Sequence, residues 1–240
     1  MTERIASTDE PDAAGFVLAG GQSSRMGRDK ALLPVAGRPL VAHALSILEQ
    51  AGLPASIAGV PSGGWLEKPE SAGWIAGAHA NFASYAPVVE DAEPGLGPLA
   101  GVSAALDSTS ARYAVFLTVD QPLLPPSLLV FLLHHARITG RAVTVPTVNG
   151  FTQTFPAVLD RSVLPALQAE LSAQRGGCFA AFQAAAASLD QPISAVRVEF
   201  LAQSGQIIHA LGLPPALWFL NLNSPQDLER AEALAARGIA

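Results

Sequence analysis

The chain has 240 residues, half of them hydrophobic and only 14% charged, which excludes an intrinsically disordered chain. Twenty acidic against 14 basic residues leave a net charge of −6, which argues against a broad polyanion-binding surface and still allows a local basic pocket. The single cysteine, Cys178, excludes an intramolecular disulfide and any cysteine-based metal cluster.

Residues 1–14 carry acids and prolines without an apolar signal-peptide core, and read as a disordered tail. No stretch approaches the ~18 uninterrupted apolar residues of a membrane span. The expectation is a cytoplasmic protein with neither membrane nor nucleic acid as partner, and one domain over 15–240. The run 15–19 (GFVLA) predicts a buried strand entering a glycine loop. Residues 38–51 have helical spacing, with Pro39 near the start and Gly52 past the end. Strands are predicted at 54–60 and 86–90. The intervening stretch 61–85, rich in Gly, Pro and Ala, receives no assignment. A helix is predicted over 99–107, a strongly apolar strand over 112–119 and a helix from Pro125-Pro126 to Ile138. A strand at 142–147 runs into Asn149-Gly150, a hairpin signal. Helices are predicted at 161–173 and 177–188, with Cys178 buried as a small apolar residue. Strands are expected at 193–201, 206–210 and 217–220. Ser224-Pro225-Gln226-Asp227 then places a cap, a proline and an acid in the order that starts a helix to about Arg237. Strands alternating with helices imply an α/β sandwich with a mainly parallel sheet, whose ligands bind beyond the carboxyl ends of strands.

Four such ends carry chemistry. The loop 18–30, LAGGQSSRMGRDK, holds three glycines and three cations. Its backbone N–H groups can approach phosphate closely, and Arg25 and Lys30 can neutralise phosphate oxygens. Neither GxxxxGK[ST] nor GxGxxG occurs in it. Only Lys30 and Lys68 are lysines in the whole chain. Asp120 ends the most apolar strand. A carboxylate there suits Mg²⁺, which takes one or two carboxylates plus phosphate oxygens and waters, although an Asp starting a turn before proline is common. Asp91 reads either as a ligand to ribose, base or metal or as an exposed turn acid. GPLAG (97–101) reads as a helix start whose Gly97 and Gly101 permit close approach of a planar ligand, or as an ordinary helix start. Asn221 and Asn223 are placed on one face by strand alternation. Their carboxamides suit a heterocyclic substrate, with helix capping as the other reading of Asn223. The five histidines have no metal-ligand spacing, and no Ser/His/Asp arrangement stands out.

Taken together, LAGGQSSRMGRDKALLPVAGRPL (18–40), VVED (88–91), GPLAG (97–101), FLTVDQPLLP (116–125) and FLNLNSPQDL (219–228) resemble the MobA-like nucleotidyltransferases, in that family's order. The resemblance implies a Rossmann-like three-layer α/β/α sandwich of the nucleotide-diphospho-sugar transferase type. It implies transfer of GMP from GTP to Mo-molybdopterin with release of pyrophosphate and use of Mg²⁺. Carried over by position, Leu18, Ala19, Gly20 and Gly21 lie against the nucleotide, Lys30 contacts phosphate, and Asp91 binds the nucleotide. Asp120 binds nucleotide and metal, Arg25 stabilises charge on the leaving pyrophosphate, and Asn221 and Asn223 face the molybdopterin, beside the substrate-facing reading of Gly97 and Gly101 above. Molybdenum cofactor insertion proteins or apo-molybdoenzymes are the implied further partners. The double glycine and GPLAG look like the guanylyl branch. An Asn that the family commonly carries after its second strand is absent from IAGVPSGG. A CTP-dependent molybdopterin enzyme, a sugar-phosphate nucleotidyltransferase and a non-catalytic nucleotide-binding module therefore stay open as alternatives.

Overall fold

A computed structural model describes residues 11–19, 30–60, 86–90, 96–174 and 176–236. Its centre is an eight-stranded sheet in the order β10-β7-β9-β6-β1-β4-β5, with β8 paired to β7. β1 (Ala13–Leu18), β4 (Ala55–Val60), β5 (Val88–Glu90) and β6 (Tyr113–Thr118) are mutually parallel neighbours. β9 (Ala157–Asp160) runs antiparallel between β6 and β7 (Val143–Val148), and β10 (Ser194–Arg197) is parallel to β7. β2 (Pro34–Val35) and β3 (Arg38–Pro39) form a small hairpin of their own.

The central strands are apolar on both faces because helices cover both. In β1, Ala13 and Val17 pack into one core and Phe16 and Leu18 into the other, the period-2 alternation of a strand buried on both sides. The first core takes α1 (Leu40–Gln50), α3 (Pro126–Thr139) and α8 (Pro225–Ala236). The second takes α2 (Pro98–Ser108), α4 (Leu164–Ser172) and α5 (Cys178–Ser188). The architecture is the three-layer sandwich expected. α1 lies so close that a Cβ on Gly15 would stand 2.7 Å from Leu48 Cδ2. Cys178 is buried in the second core, which pushes its thiol up to about 12.

Several expectations are corrected. The first strand starts at Ala13, inside the stretch read as tail. Asp12 is ordered as well: its carbonyl accepts from Tyr113 N–H at 2.9 Å, and its carboxylate takes Arg137 Nε–H at 3.0 Å. The strand expected at 193–201 stops at Arg197. Val198 and Leu201, buried at i and i+3, make α6 (Val198–Gln203) instead. No strand forms at 206–210, and the one expected at 217–220 is replaced by the short α7 (Pro215–Trp218). Pro215 sits in its first turn, where a missing N–H costs nothing. The hairpin at Asn149-Gly150 is present, with φ of 51° and 78° and β8 (Phe151–Thr152) returning along β7; positive φ at both central residues suits the tight two-residue turn.

The chain passes from β1 outward to β4 and β5, then crosses back to place β6 on the other side of β1. That reversal opens a crevice beyond the carboxyl ends of β1 and β6, the position where open α/β sheets bind ligands.

Candidate functional site

Three side chains from distant parts of the sequence meet at that crevice. Asp120 stands two residues beyond β6, on the same face as Thr118, whose hydroxyl donates to Asp120 Oδ1. Lys30 begins a 3-10 turn closed by Leu33 N–H on the Lys30 carbonyl at 3.1 Å and anchored by the fully buried Ala31. Its ammonium reaches Asp120 Oδ2 at 3.0 Å and Asn223 Oδ1 at 2.8 Å. Asn223 is delivered by the segment before α8, which is fastened by Leu222 N–H on the Asp120 carbonyl at 3.0 Å.

An ammonium has three N–H donors. Two of those on Lys30 are used by Asp120 and Asn223 among the described residues, which leaves one for an anionic oxygen. The pair is half-buried, with side chains 18% and 23% exposed. It is therefore less screened than an open surface pair and less costly to desolvate than a core pair. Both Asp120 oxygens accept one hydrogen bond, and each keeps a lone pair. This hard oxygen donor set fits Mg²⁺, which draws its other ligands from phosphate and water. Among the described residues no group of three or more His, Cys, Asp or Glu could hold a metal, so a cation here would rest on Asp120 plus ligand oxygens.

The Ser224–Asp227 pair caps α8. Asp227 Oδ2 accepts from Asn223 N–H, Ser224 N–H and the Ser224 hydroxyl at 3.1, 2.9 and 2.7 Å. The Ser224 hydroxyl, first among these, holds the Asp227 carboxyl below its ordinary value. Capping thus falls to Ser224 and leaves the Asn223 carboxamide to Lys30. Asn221 is exposed; its carbonyl accepts from Asn223 N–H at 3.1 Å. The strand alternation invoked for this pair is absent, and the local turn sets their relation instead.

Leu18 and Ala19 lie at the carboxyl end of β1 with side chains buried, so only their backbone is available to a ligand. Gly101 has a packing role not foreseen. A Cβ there would stand 2.8 Å from Gly59 Cα, 3.0 Å from Gly59 N and 3.3 Å from Leu18 Cδ2. Its missing side chain lets α2 lie directly on the end of β4, where the register shifts between Ala58 and Val60. This packing is a reason for glycine at 101 beside the ligand-facing one expected from the sequence. Gly97 is exposed at the start of α2 with φ 76° and ψ −170°, a conformation essentially restricted to glycine. Gly20, Gly21, Arg25 and Asp91 lie outside the described residues, as does 61–85.

Thr118, Gln121 and His209 were missed by sequence reasoning. Thr118 was within reach, since it lies two positions before Asp120 on a strand. Gln121 is buried with its Oε1 unpartnered, a state no sequence pattern announces. His209 gave no local signal of its contact with the Asp120 turn, because Leu123 lies 86 positions away.

Residues 15–189 match the MobA-like NTP transferase domain. A molybdenum cofactor guanylyltransferase of Xanthomonas euvesicatoria pv. vesicatoria is 41% identical over 120 residues, half of this chain and 52% of that relative. The chain thus spans about half the length of that relative. One from Pseudomonas putida is 34% identical over 164 residues, 66% of this chain and 75% of the relative. Among solved structures, the molybdopterin-guanine dinucleotide biosynthesis protein A of Archaeoglobus fulgidus superposes with a TM-score of 0.68 at 20% identity, covering 93% of this chain and 99% of that one. That likeness is one of fold. No helix among the described residues is long and apolar enough to cross a membrane.

Proposed function

The chain belongs to the MobA-like NTP transferase family, and from that premise we propose that it transfers GMP from GTP to the terminal phosphate of Mo-molybdopterin. The relatives that carry a guanylyltransferase name support the substrates. The observation that carries the reading is the meeting of Lys30, Asp120 and Asn223 at the reversal point of the sheet.

In the reaction, a phosphate oxygen of the acceptor forms a bond to the α-phosphorus of GTP. The bond from that phosphorus to the oxygen bridging the β-phosphate breaks, and its electron pair leaves with pyrophosphate. The nucleophile is already ionised near neutral pH, so no general base is needed. The work left to the protein is orientation and charge placement. Lys30 directs its remaining N–H at a phosphate oxygen, while Asp120 and Asn223 keep its ammonium from swinging into solvent. Arg25 offsets charge on the departing pyrophosphate, and Asp91 holds the nucleotide. Mg²⁺ held by Asp120 supplies further neutralisation of the triphosphate when bound. The backbone of residues 18–21 lies along the nucleotide, and Asn221 and Gly97 face the acceptor. The protein acts in the cytoplasm, and molybdenum cofactor insertion proteins or apo-molybdoenzymes receive its product.

The test is Mg²⁺-dependent release of pyrophosphate by the purified protein, with GTP and CTP in parallel, each with and without Mo-molybdopterin. Release with GTP only when the acceptor is present is expected. Release with CTP instead would overturn the base assignment. Release with neither would overturn the reaction.

A further inference from the structure

Among the described residues, His209 is one of the few polar side chains that are buried, 8% exposed, and it lies outside the Lys30–Asp120–Asn223 cluster. Its ring is fixed by two backbone groups. Nε2 lies 2.8 Å from the Leu123 carbonyl oxygen, and Nδ1 lies 3.0 Å from Leu211 N. A carbonyl oxygen only accepts and an amide N–H only donates, so Nε2 carries the proton and Nδ1 is bare. This is one defined neutral tautomer, consistent with burial lowering the imidazole from its ordinary value. The ring stacks on Trp218 at 5.9 Å between centroids and 27° between planes. Trp218 is itself buried and donates its indole N–H to the Leu213 carbonyl at 2.7 Å.

The two ends of these contacts matter for the site. Leu123 lies three residues after Asp120, in the turn that Leu124 N–H closes on the Gln121 carbonyl. Residues 209–223 form the strap that brings Asn223 to Lys30. The strap is joined to the Asp120 turn twice, by His209 on Leu123 at its start and by Leu222 on Asp120 at its end. Between them, the His209–Trp218 stack closes the strap against itself. Without the first tie, the strap keeps the Leu222 bond, the bonds of Asn223 and Ser224 to Asp227 and the burial of Trp218, Phe219 and Leu222, and loses its one hydrogen bond from His209 to the Asp120 turn.

We propose that His209 is a positioning residue for the transfer reaction: its Nε2–H on Leu123 fastens the strap to the Asp120 turn and so sets Asn223 against the Lys30 ammonium. This rests on the functional reading above only for its consequence in catalysis. The placement of Lys30 can be measured without any substrate.

Two substitutions separate the ring's two roles. In His209→Gln the carboxamide NH₂ reaches the place of Nε2 and can still donate to Leu123. In His209→Asn the carboxamide oxygen takes the place of Nδ1 and can accept from Leu211, but nothing reaches Leu123. Both remove the same ring from the Trp218 stack, so a purely structural role predicts matched losses of melting temperature and matched activities. The positioning role predicts that His209→Asn lowers kcat about tenfold or more, while His209→Gln stays within about threefold of the parent. With only two lysines in the chain, ¹³Cε-lysine labelling gives two resonances. Lys68→Arg identifies that of Lys30. In the absence of substrate, the Lys30 signal should move toward that of a free lysine in His209→Asn and stay in place in His209→Gln. An unmoved Lys30 signal in His209→Asn, or equal shifts in both variants, overturns the proposal whatever the enzyme does. Absence of pyrophosphate release by the parent protein with a Lys30 signal that responds as expected would overturn the functional reading and keep the tie.

Discussion

Replacing Gly101 by alanine sets two known effects against each other. In a helix interior, alanine is favoured over glycine by about 1 kcal/mol. At Gly101 the added Cβ would meet Gly59 Cα at 2.8 Å, Gly59 N at 3.0 Å and Leu18 Cδ2 at 3.3 Å. Carbon atoms pack comfortably at roughly 3.5–4.0 Å, so the overlap with Gly59 Cα is about 1 Å. Leu18 can rotate away. The Gly59 backbone cannot, because β4 is held between β1 and β5. Overpacking of this kind costs about 1–3 kcal/mol, and two backbone contacts place it near the upper end. Subtracting the helix gain leaves a net loss of about 2 kcal/mol, which for a chain of this length lowers the melting temperature by roughly 4–8 °C. Calorimetry or circular dichroism measures this directly. Because α2 would move off the end of β4, beside the crevice, kcat/KM should also fall at temperatures far below the transition. A variant as stable as the parent, or more so, would falsify the close contact of α2 with β4 and the role given to Gly101.

Lys30→Gln removes the cation and should lower kcat/KM for GTP by about 10²–10³, the usual loss when a charge-assisted donor to a reacting phosphate is taken away; retention of both kcat and KM places Lys30 outside the mechanism. Asn223→Asp adds an anion beside the triphosphate and should raise KM for GTP roughly tenfold, with the penalty shrinking as salt is added; an unchanged KM across ionic strengths refutes it. Gly97→Ala meets no atom within 4 Å yet forces φ 76° and ψ −170° on a residue with a Cβ. The cost is conformational, about 1–3 kcal/mol, and a melting temperature equal to the parent's would count against that geometry. Stability should also depend on pH in two separate windows. Burial lowers both His43, whose Nε2–H donates to the Val35 carbonyl at 2.8 Å, and His209. With folded values below the ordinary ~6.5, the unfolded chain binds more protons as pH falls through that value. Stability is thus complete above ~6.5 and declines as pH falls toward the folded values. Asp160 is raised by burial but pulled lower overall by Ser162 and Arg112, and Asp227 is lowered chiefly by Ser224. Their contribution is present above the ordinary carboxylate value and lost only in more acid solution. Melting temperatures in His43→Gln and His209→Gln should be flatter between pH 7.5 and 5 than in the parent, and an unaltered profile refutes the assignment.

The elements that were legible in the sequence share one property: their neighbours in sequence determine them. β1, β6 and α3 are dense apolar runs bounded by turn residues. Ser224-Pro225-Gln226-Asp227 sets the start of α8 through contacts within four residues. The stretches misread depend on distant packing. Val198 and Leu201 fit a strand or a helix equally well until the first core offers them a helical docking face. Leu217–Leu220 reads as a strand on apolarity alone. Buried Trp218 and its bond to Leu213 turn it into α7 and an irregular strap. The site shows the same division. Lys30, Asp120 and Asn223 could each be nominated from local context, since all follow or precede a structural boundary. Their contacts span 90 and 193 positions and had no counterpart in any local pattern. Gly101 was noticed for a missing side chain, while its contact with Gly59 had no local signal.

The chemistry of the partners of Lys30 bears on how the proposed site would take in a triphosphate. A lysine chain has many rotamers, and fixing its ammonium before substrate arrives removes an entropic cost from the bound state. Two carboxylates would fix it well, but each would repel the incoming phosphates. One carboxylate and one carboxamide fix it with a single negative charge, and that charge is also the one able to hold a divalent cation. The carboxamide contributes direction without adding to the repulsion. In the proposed reaction Asn223 would thus aim the ammonium without adding a negative charge to the crevice. The strap that carries it must then be placed within a few tenths of an ångström, because a neutral oxygen attracts an ammonium over a much shorter range than a charge does. That short range is the physical reason for a strap held at both ends, at Leu123 through His209 and at Asp120 through Leu222.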